Sequence, residues 1–373
     1  MRPSILIIGN LLSSTLGVRS VSEDLAARLS AAGWKVIAAS EKPGRLARLT
    51  DMCLTVWRRR VEYEVANVEV FSGMAFRWAQ VVCFLLRRLN KPYILTLHGG
   101  NLPNFARRRA GRTRRLLNSA RFVTTPSRYL LEQMSAYRPD LVLLPNPLNL
   151  EAYQYRRRDR ATPKLVWLRA FHKIYNPTLA PRVVKQLAGE FPEIHLEMIG
   201  PDKNDGSAKA VREVISELEV SRRVSQIGVV AKAQVPHYLN GGDVFLNTAN
   251  VDNTPVSVLE AMACGLCVVS ANVGGIPYLL EDERDALLVP PDDSRAMAAA
   301  VRRILTSPRL AETLSQNARK KAESHDWAVI LPQWERLFES AVKGSAGLTT
   351  FSPSRSISGR ISGSISGRKP EAK

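Results

Sequence analysis

Short apolar runs that each stop at a polar or glycine-bearing turn, with helical patterns between them, are the strongest constraint on what this chain can fold into. Ser4–Ile8 runs into Gly9-Asn10, and Tyr93–Leu97 stops at His98-Gly99-Gly100-Asn101. Phe122–Thr125 stops at Pro126-Ser127, Leu141–Pro145 at Asn146-Pro147, Lys164–Leu168 at Arg169, and His195–Ile199 at Gly200-Pro201. Runs this short and this largely apolar read as strands covered on both faces. The intervening segments have helical spacing: Val21, Leu25, Leu29 and Ala32 share one face of a helix closed by Gly33, and Lys35–Ala38 makes the next strand. Repeated strand–loop–helix–strand units build doubly wound parallel sheets, so the expected class is α/β. The first strand–helix turn lacks a GxGxxG fingerprint, which argues against a standard dinucleotide dehydrogenase.

The 373 residues suffice for two such domains, each with its own core. Between about Leu148 and Pro163 the apolar periodicity gives way to polar, arginine-rich sequence, read as the connection between them. The expected division is an N-terminal domain over 1–155, a second domain over 163–325, a terminal helix over 326–343 and a tail over 344–373. The tail repeats SISGR, ISGS and ISGR with almost nothing to bury, and is expected to be a disordered basic segment.

Hydrophobic content of 45% and charged content of 23% are those of an ordinary soluble protein. Cys53, Cys83, Cys264 and Cys267 fit buried free thiols of a reducing compartment. Cys264 and Cys267 form a C-x-x-C, but no second pair or histidine cluster completes a metal site, so packing is the expected role. No secretory signal pattern is evident and no run reaches the length of a bilayer span, so a cytoplasmic chain is expected. The formal charge is +19. Arginines cluster at Arg58–Arg60, at Arg107–Arg109 with Arg112, Arg114 and Arg115, and at Arg156–Arg158 with Arg160. Nucleic acid is not the expected partner, because stacking aromatics do not interleave with these cations and no DNA-binding spacing is found. An anionic membrane surface fits better: Trp57 adjoins Arg58–Arg60, and Phe76 and Trp78 stand near Arg87-Arg88. Solvated helix faces would give the same charge pattern.

Chemistry concentrates in DNTPVSVLEAMACGLCVVSANVGGIP, Asp252 to Pro277. Asp252 and Glu260 are separated by seven residues, followed by a small-residue helix end, the run Val268-Val269-Ser270 and the turn Gly274-Gly275. A helix N-terminus offers unpaired N–H groups to a phosphate, while flanking acids suit sugar hydroxyls on either side of a pyrophosphate. Ordinary helix capping would also place acids here. The whole string resembles the donor-site signature of glycosyltransferase family 4, the retaining "glycosyl transferases group 1" with the GT-B fold. Three positions depart from that pattern: Asp252 stands for Glu, Cys267 for Pro and Tyr278 for the closing Glu. WLRAFHKIYNP resembles the family's phosphate-binding turn, with Leu168 where Gly is usual and the Arg169–Lys173 spacing one residue shorter than the commonest. LTLHGGN resembles the first-domain loop whose His contacts the transferred sugar.

The resemblance implies a GT-B fold, two Rossmann-like domains facing across a cleft, with a nucleoside diphosphate sugar held mostly by the second. Arg169 and Lys173 would neutralise the leaving diphosphate, Glu260 would hold ribose hydroxyls and Asp252 sugar hydroxyls. Asn253, Thr254, Pro255, Val256, Ser257 and Val258 would line the donor with Gly200. His98 would touch the sugar, and Gly17 would let backbone approach the donor phosphate. No DxD lies at a suitable strand end, so neither a metal nor another cofactor is expected. The implied reaction is retaining transfer to a hydroxyl of a glycan or lipid-linked acceptor, in polysaccharide or cell-envelope synthesis at the cytoplasmic membrane face. A catalytically weak nucleotide-sugar-binding scaffold and a GT-B nucleotide-sugar epimerase are the alternatives.

Overall fold

In a computed structural model, which describes residues 2–9, 11, 20–42 and 44–344, the apolar runs form strands that alternate their side chains between two helix layers. β1 (Ile5–Ile8) shows the principle: Leu6 and Ile8 enter one core cluster and Ile5 and Ile7 the other, so a strand buried on both faces has no polar side. With β2 (Val36–Ala39), β3 (Val65–Val70), β4 (Tyr93–Leu97), β5 (Phe122–Thr125) and β6 (Val142–Leu143) it makes a parallel sheet in the order β2-β1-β3-β4-β5-β6. β7 (Lys164–Leu168), β8 (His195–Ile199), β9 (Val224–Gly228), β10 (Val244–Asn247), β11 (Cys267–Ala271) and β12 (Leu287–Val289) make a second parallel sheet, ordered β12-β11-β10-β7-β8-β9. Here Leu165 and Trp167 face one layer and Val166 the other.

β3 has no counterpart among the strands expected from the sequence, although it lies at the centre of its sheet. Its segment, VANVEV, is broken by Asn67 and Glu69, yet all six residues are buried. The Asn67 carboxamide oxygen accepts from the Thr96 hydroxyl at 2.8 Å, which lets a polar side chain sit in the core without an open acceptor. The helices that follow β2 and β3, Arg45–Arg58 and Met74–Arg88, pack against one another over that side of the sheet.

The last described helix, Trp327–Lys343, covers the other face of the first sheet rather than the second. Asp326 caps it by accepting from the Ala328 amide at 2.7 Å. Its Ile330, Trp334, Leu337 and Phe338 pack with Ile5, Ile7, Val65 and Ile94, and the Trp34 indole donates to Glu335 at 2.7 Å. The chain therefore passes between the sheets twice, and the two passages touch: Leu148 donates to the His325 carbonyl at 2.7 Å and accepts from the Trp327 amide at 3.1 Å.

The arginine-rich segment after Leu148, read as the connection between the sheets, sends one of its arginines into the interior. Arg158 is almost fully buried, donating to the Cys264 and Arg156 carbonyls and, at 2.8 Å, to that of Gly242, with Nε 3.3 Å from Asp243. Asp243 also pairs with Arg156 and accepts from the Thr162 amide at 2.8 Å and hydroxyl at 2.6 Å. Burial works to raise the Asp243 pKa, but the Thr162 hydroxyl and amide and the Arg156 cation outweigh it and hold the carboxyl below its usual range. Phe76 is likewise buried in the core, so it is no membrane anchor. Cys264 and Cys267 are buried free thiols, each pushed up to about 12 by burial. Cys267 opens β11 with its amide donating to the Asp243 carbonyl at 2.9 Å, a bond that a proline at this position would not make. No described helix is long and apolar enough to cross a membrane.

Asp243→Ala is expected to cost about 3–5 kcal/mol, because it leaves Arg158 buried without its carboxylate. A fall in the denaturant midpoint, followed by far-UV circular dichroism, checks this.

Candidate active site

In each sheet two neighbouring strands feed connections that leave in opposite directions, and open α/β sheets bind ligands beyond the carboxyl ends of such a pair. In the second sheet the pair is β7 and β10, so Arg169 and the loop after Asn247 stand at that point. In the first it is β1 and β3, with β4 alongside.

Arg169 and Asp252 meet there. The guanidinium Nη2 donates to Asp252 Oδ2 at 2.7 Å, and the guanidinium carbon lies 4.4 Å from the centre of the Tyr175 ring. The Asn253 amide donates to Asp252 Oδ1 at 2.9 Å. Burial raises the Asp252 pKa, and the Arg169 cation and the Asn253 amide recover only part of that cost. The loop is held by backbone packed too closely for side chains. A Cβ on Gly274 would stand 2.1 Å from the Asp252 carbonyl oxygen, and one on Gly275 2.1 Å from that of Asn253. On the other side of the pair, a Cβ on Gly200 would stand 1.9 Å from the Arg169 carbonyl. Gly200 thus fixes the strand end that carries Arg169.

Lys173 lies on an exposed 3-10 turn, Lys173–Tyr175, four residues beyond Arg169. The Thr248 hydroxyl donates to the Tyr175 carbonyl at 2.7 Å, the Asn250 amide to that of Ile174 at 2.8 Å, and the Lys173 amide to Asp205 at 2.9 Å. That last bond, with those from Ser207, holds Asp205 down to about 2.

Glu260 lies on the helix Val256–Ala263, where its buried carboxylate accepts from the Tyr153 hydroxyl at 2.7 Å and from the Lys232 ammonium. Burial, and after it the proximity of that carboxylate, pushes the Tyr153 phenol up. Pro255 precedes the helix without a side-chain cap, and the Thr254 and Ser257 hydroxyls are buried with no protein partner. Asn253 and Thr254 also reach the first sheet's side: Ser127 Oγ donates to Asn253 Oδ1, and Asn146 Nδ2 to the Thr254 carbonyl at 3.2 Å. Val256 and Val258 belong to the same helix, with Val258 buried in the core.

His98 follows β4, stacked on Phe71 with ring centres 4.9 Å apart, and its Nε2 is 3.5 Å from Glu69 Oε1. Burial lowers its pKa and the neighbouring Glu69 works to raise it. Two residues on, Gly100 lies against Asp252: a Cβ there would be 3.3 Å from the Asp252 carbonyl oxygen. The loop carrying His98 and the loop carrying Asp252 therefore touch across the cleft. Gly17 lies outside the described residues.

Tyr153, Lys232, Glu69, Tyr175 and Ser127 take part in these contacts and do not stand out in the sequence. Tyr175, close after Lys173, is within reach of a motif. Lys232 sits in an unmarked turn, and Tyr153 in a segment whose arginines read as a linker.

Residues 157–321 match the family described as Glycosyl transferases group 1. The matched region begins just before β7 and includes Arg169, Lys173, Lys232, Asp252 and Glu260. Over 353 residues the chain is 23% identical to the D-inositol 3-phosphate glycosyltransferase of Kineococcus radiotolerans, covering 85% of this chain and 81% of that one. It is 28% identical over 167 residues to a phosphatidylinositol N-acetylglucosaminyltransferase component of Arabidopsis thaliana, covering 45% of this chain and only 36% of that protein. Its fold is that of Anabaena HepE solved with UDP and glucose (TM-score 0.71, 17% identity, 91% of this chain and all of that one). It is also that of the sucrose-phosphate synthase of Thermosynechococcus elongatus (0.76, 19%, 92% and all). The architecture is GT-B.

Asp252→Asn is expected to raise the thermal midpoint at neutral pH. A folded-state pKa above the unfolded value means stability that is present at low pH and lost as pH rises through it. The amide removes that loss, so the gain vanishes when pH falls below the ordinary aspartate range. Calorimetry of both proteins across that span checks the sign.

Proposed function

We propose that the chain is a retaining glycosyltransferase of family 4. It moves a sugar from a nucleoside diphosphate donor to a hydroxyl of a glycan or lipid-linked acceptor, in polysaccharide or cell-envelope synthesis. The observation that carries this is the Arg169 guanidinium at the sheet's reversal point. One of its nitrogens is committed to Asp252, its Nε has no protein partner, and the unpartnered Thr254 and Ser257 hydroxyls belong to the same loop–helix unit as Asp252. A fork of donors beside an uncapped helix start suits a diphosphate whose charge grows as the glycosidic bond breaks.

In this reading Arg169 and Lys173 hold the phosphates, and Glu260, set by Tyr153 and Lys232, takes the ribose hydroxyls. The sugar lies toward Asp252 and His98. The acceptor oxygen forms its bond to the anomeric carbon on the face the diphosphate leaves, and its proton passes to a departing phosphate oxygen. The cations take up the leaving charge without a metal. The UDP and glucose held by the HepE structure make UDP-sugars the first donors to test.

Purified protein offered UDP-, GDP- and ADP-sugars should hydrolyse or transfer one of them. Arg169→Ala is expected to lower kcat by about 10²–10³. Lys173→Ala and Glu260→Ala should abolish donor binding by titration calorimetry, and full affinity in both would sink the phosphate and ribose assignments. Binding without turnover is the result that would favour a scaffold, a reading supported by Asp252, whose shorter carboxylate is already engaged by Arg169.

A further inference from the structure

The helices Arg45–Arg58 and Met74–Arg88 turn an unusual surface outward. On the first, Leu46, Thr50, Leu54, Trp57 and then Val61 recur at helical spacing along the exposed side, with Leu46 82%, Trp57 51% and Val61 85% exposed. On the second, Met74, Arg77, Val81, Phe84 and Arg88 do the same, with Phe84 51% exposed. The opposite sides, through Met52, Val56, Phe76, Val82 and Leu86, are buried in the core. The two helices are neighbours, bridged by Arg48 over the Trp78 ring at 5.8 Å. Each therefore has an inner apolar stripe that the fold consumes and an outer one that no described residue covers.

Cations edge the outer stripe. Arg60 lies 4.8 Å over the Trp57 ring and Arg88 5.2 Å over that of Phe84. Among the helix residues themselves Asp51 is the only acid, against six arginines. Exposed aromatics carrying guanidinium groups over their faces are amphipathic pieces suited to an interface where one side is oily and the other negatively charged. A second copy of this face would bring arginines against arginines, which opposes self-association. An anionic bilayer meets both properties at once.

We infer that this two-helix face is a docking surface for an anionic lipid bilayer, with Trp57 and Phe84 entering the headgroup region and the flanking arginines meeting lipid phosphates. Both helices begin at the carboxyl ends of their preceding strands, β2 and β3, the edge of the sheet where the cleft opens. The helices run back from that edge, so Leu46 and Met74 stand nearest the cleft and Trp57 and Phe84 about 15–18 Å farther from it. The inference stands on the surface alone and does not rest on the proposed activity.

Full-length protein should sediment with vesicles of phosphatidylglycerol and phosphatidylcholine but not with phosphatidylcholine alone, and salt should weaken the binding. The double variant Trp57→Ser, Phe84→Ser keeps every charge and should lower partitioning about tenfold or more with an unchanged unfolding midpoint. A variant with Arg355, Arg360 and Arg368 changed to Ser should keep most of its binding, which separates this face from the basic C-terminal segment. Brominated lipids should quench tryptophan emission less in Trp57→Phe than in the parent. Absence of binding to the anionic vesicles, equal binding by the double variant, or loss confined to the Arg355/Arg360/Arg368 variant would overturn the inference. A concentration-dependent dimer abolished by the double variant, with no vesicle binding, would assign the face to a second copy instead.

Discussion

The contact on which the site depends is between two stretches of backbone. The Gly274-Gly275 turn lies directly against the Asp252 and Asn253 carbonyls, with the Gly275 amide donating to Asp252 at 3.1 Å and no room for a side chain at either glycine. This holds the loop after β10 in place, presents Asp252 to Arg169, and starts the helix that carries Glu260. It also makes the Asp252 carboxylate costly. A buried acid beside a single guanidinium is less well solvated than in water, and its raised pKa records the deficit. The loop is stable because of its backbone, and its charged side chains sit there at a cost to the fold.

Much of this was legible in the sequence, and the reasons for the rest are physical. Tyr93–Leu97, Phe122–Thr125, Lys164–Leu168 and His195–Ile199 coincide with strands because a strand covered on both sides is mostly apolar. β3 broke that rule with Asn67 and Glu69, whose partners Thr96, His98 and Ser22 come from elsewhere in the chain. Arg169, Lys173, Asp252 and Glu260 could be found because each lies in a short motif. Tyr153 and Lys232 could not, because only the fold brings them to Glu260. The positions that depart from the family's pattern acquire local explanations here: the Cys267 amide serves the sheet, and the Tyr278 hydroxyl donates to Glu132 of the other half at 2.9 Å.

Net charge was the least reliable guide to surface. Of the three arginine clusters, the one around Arg158 sends that single side chain into the interior, where with Arg156 it pairs with Asp243, while Arg157 and Arg160 stay exposed. The one near Trp57 remains exposed. Sequence reports how many cations a segment carries, while the pairing of those cations depends on acids far along the chain.

The return of Trp327–Lys343 to the first sheet has a consequence for how the protein comes into being. Ile5, Ile7, Val65 and Ile94 are made well before the helix that covers them, which follows the whole second sheet. During synthesis that face stays bare while the entire second sheet is translated, a long interval in which an apolar surface is open to wrong partners. The first half of the molecule to leave the ribosome is thus the last to be finished, and its completion closes the chain into one object.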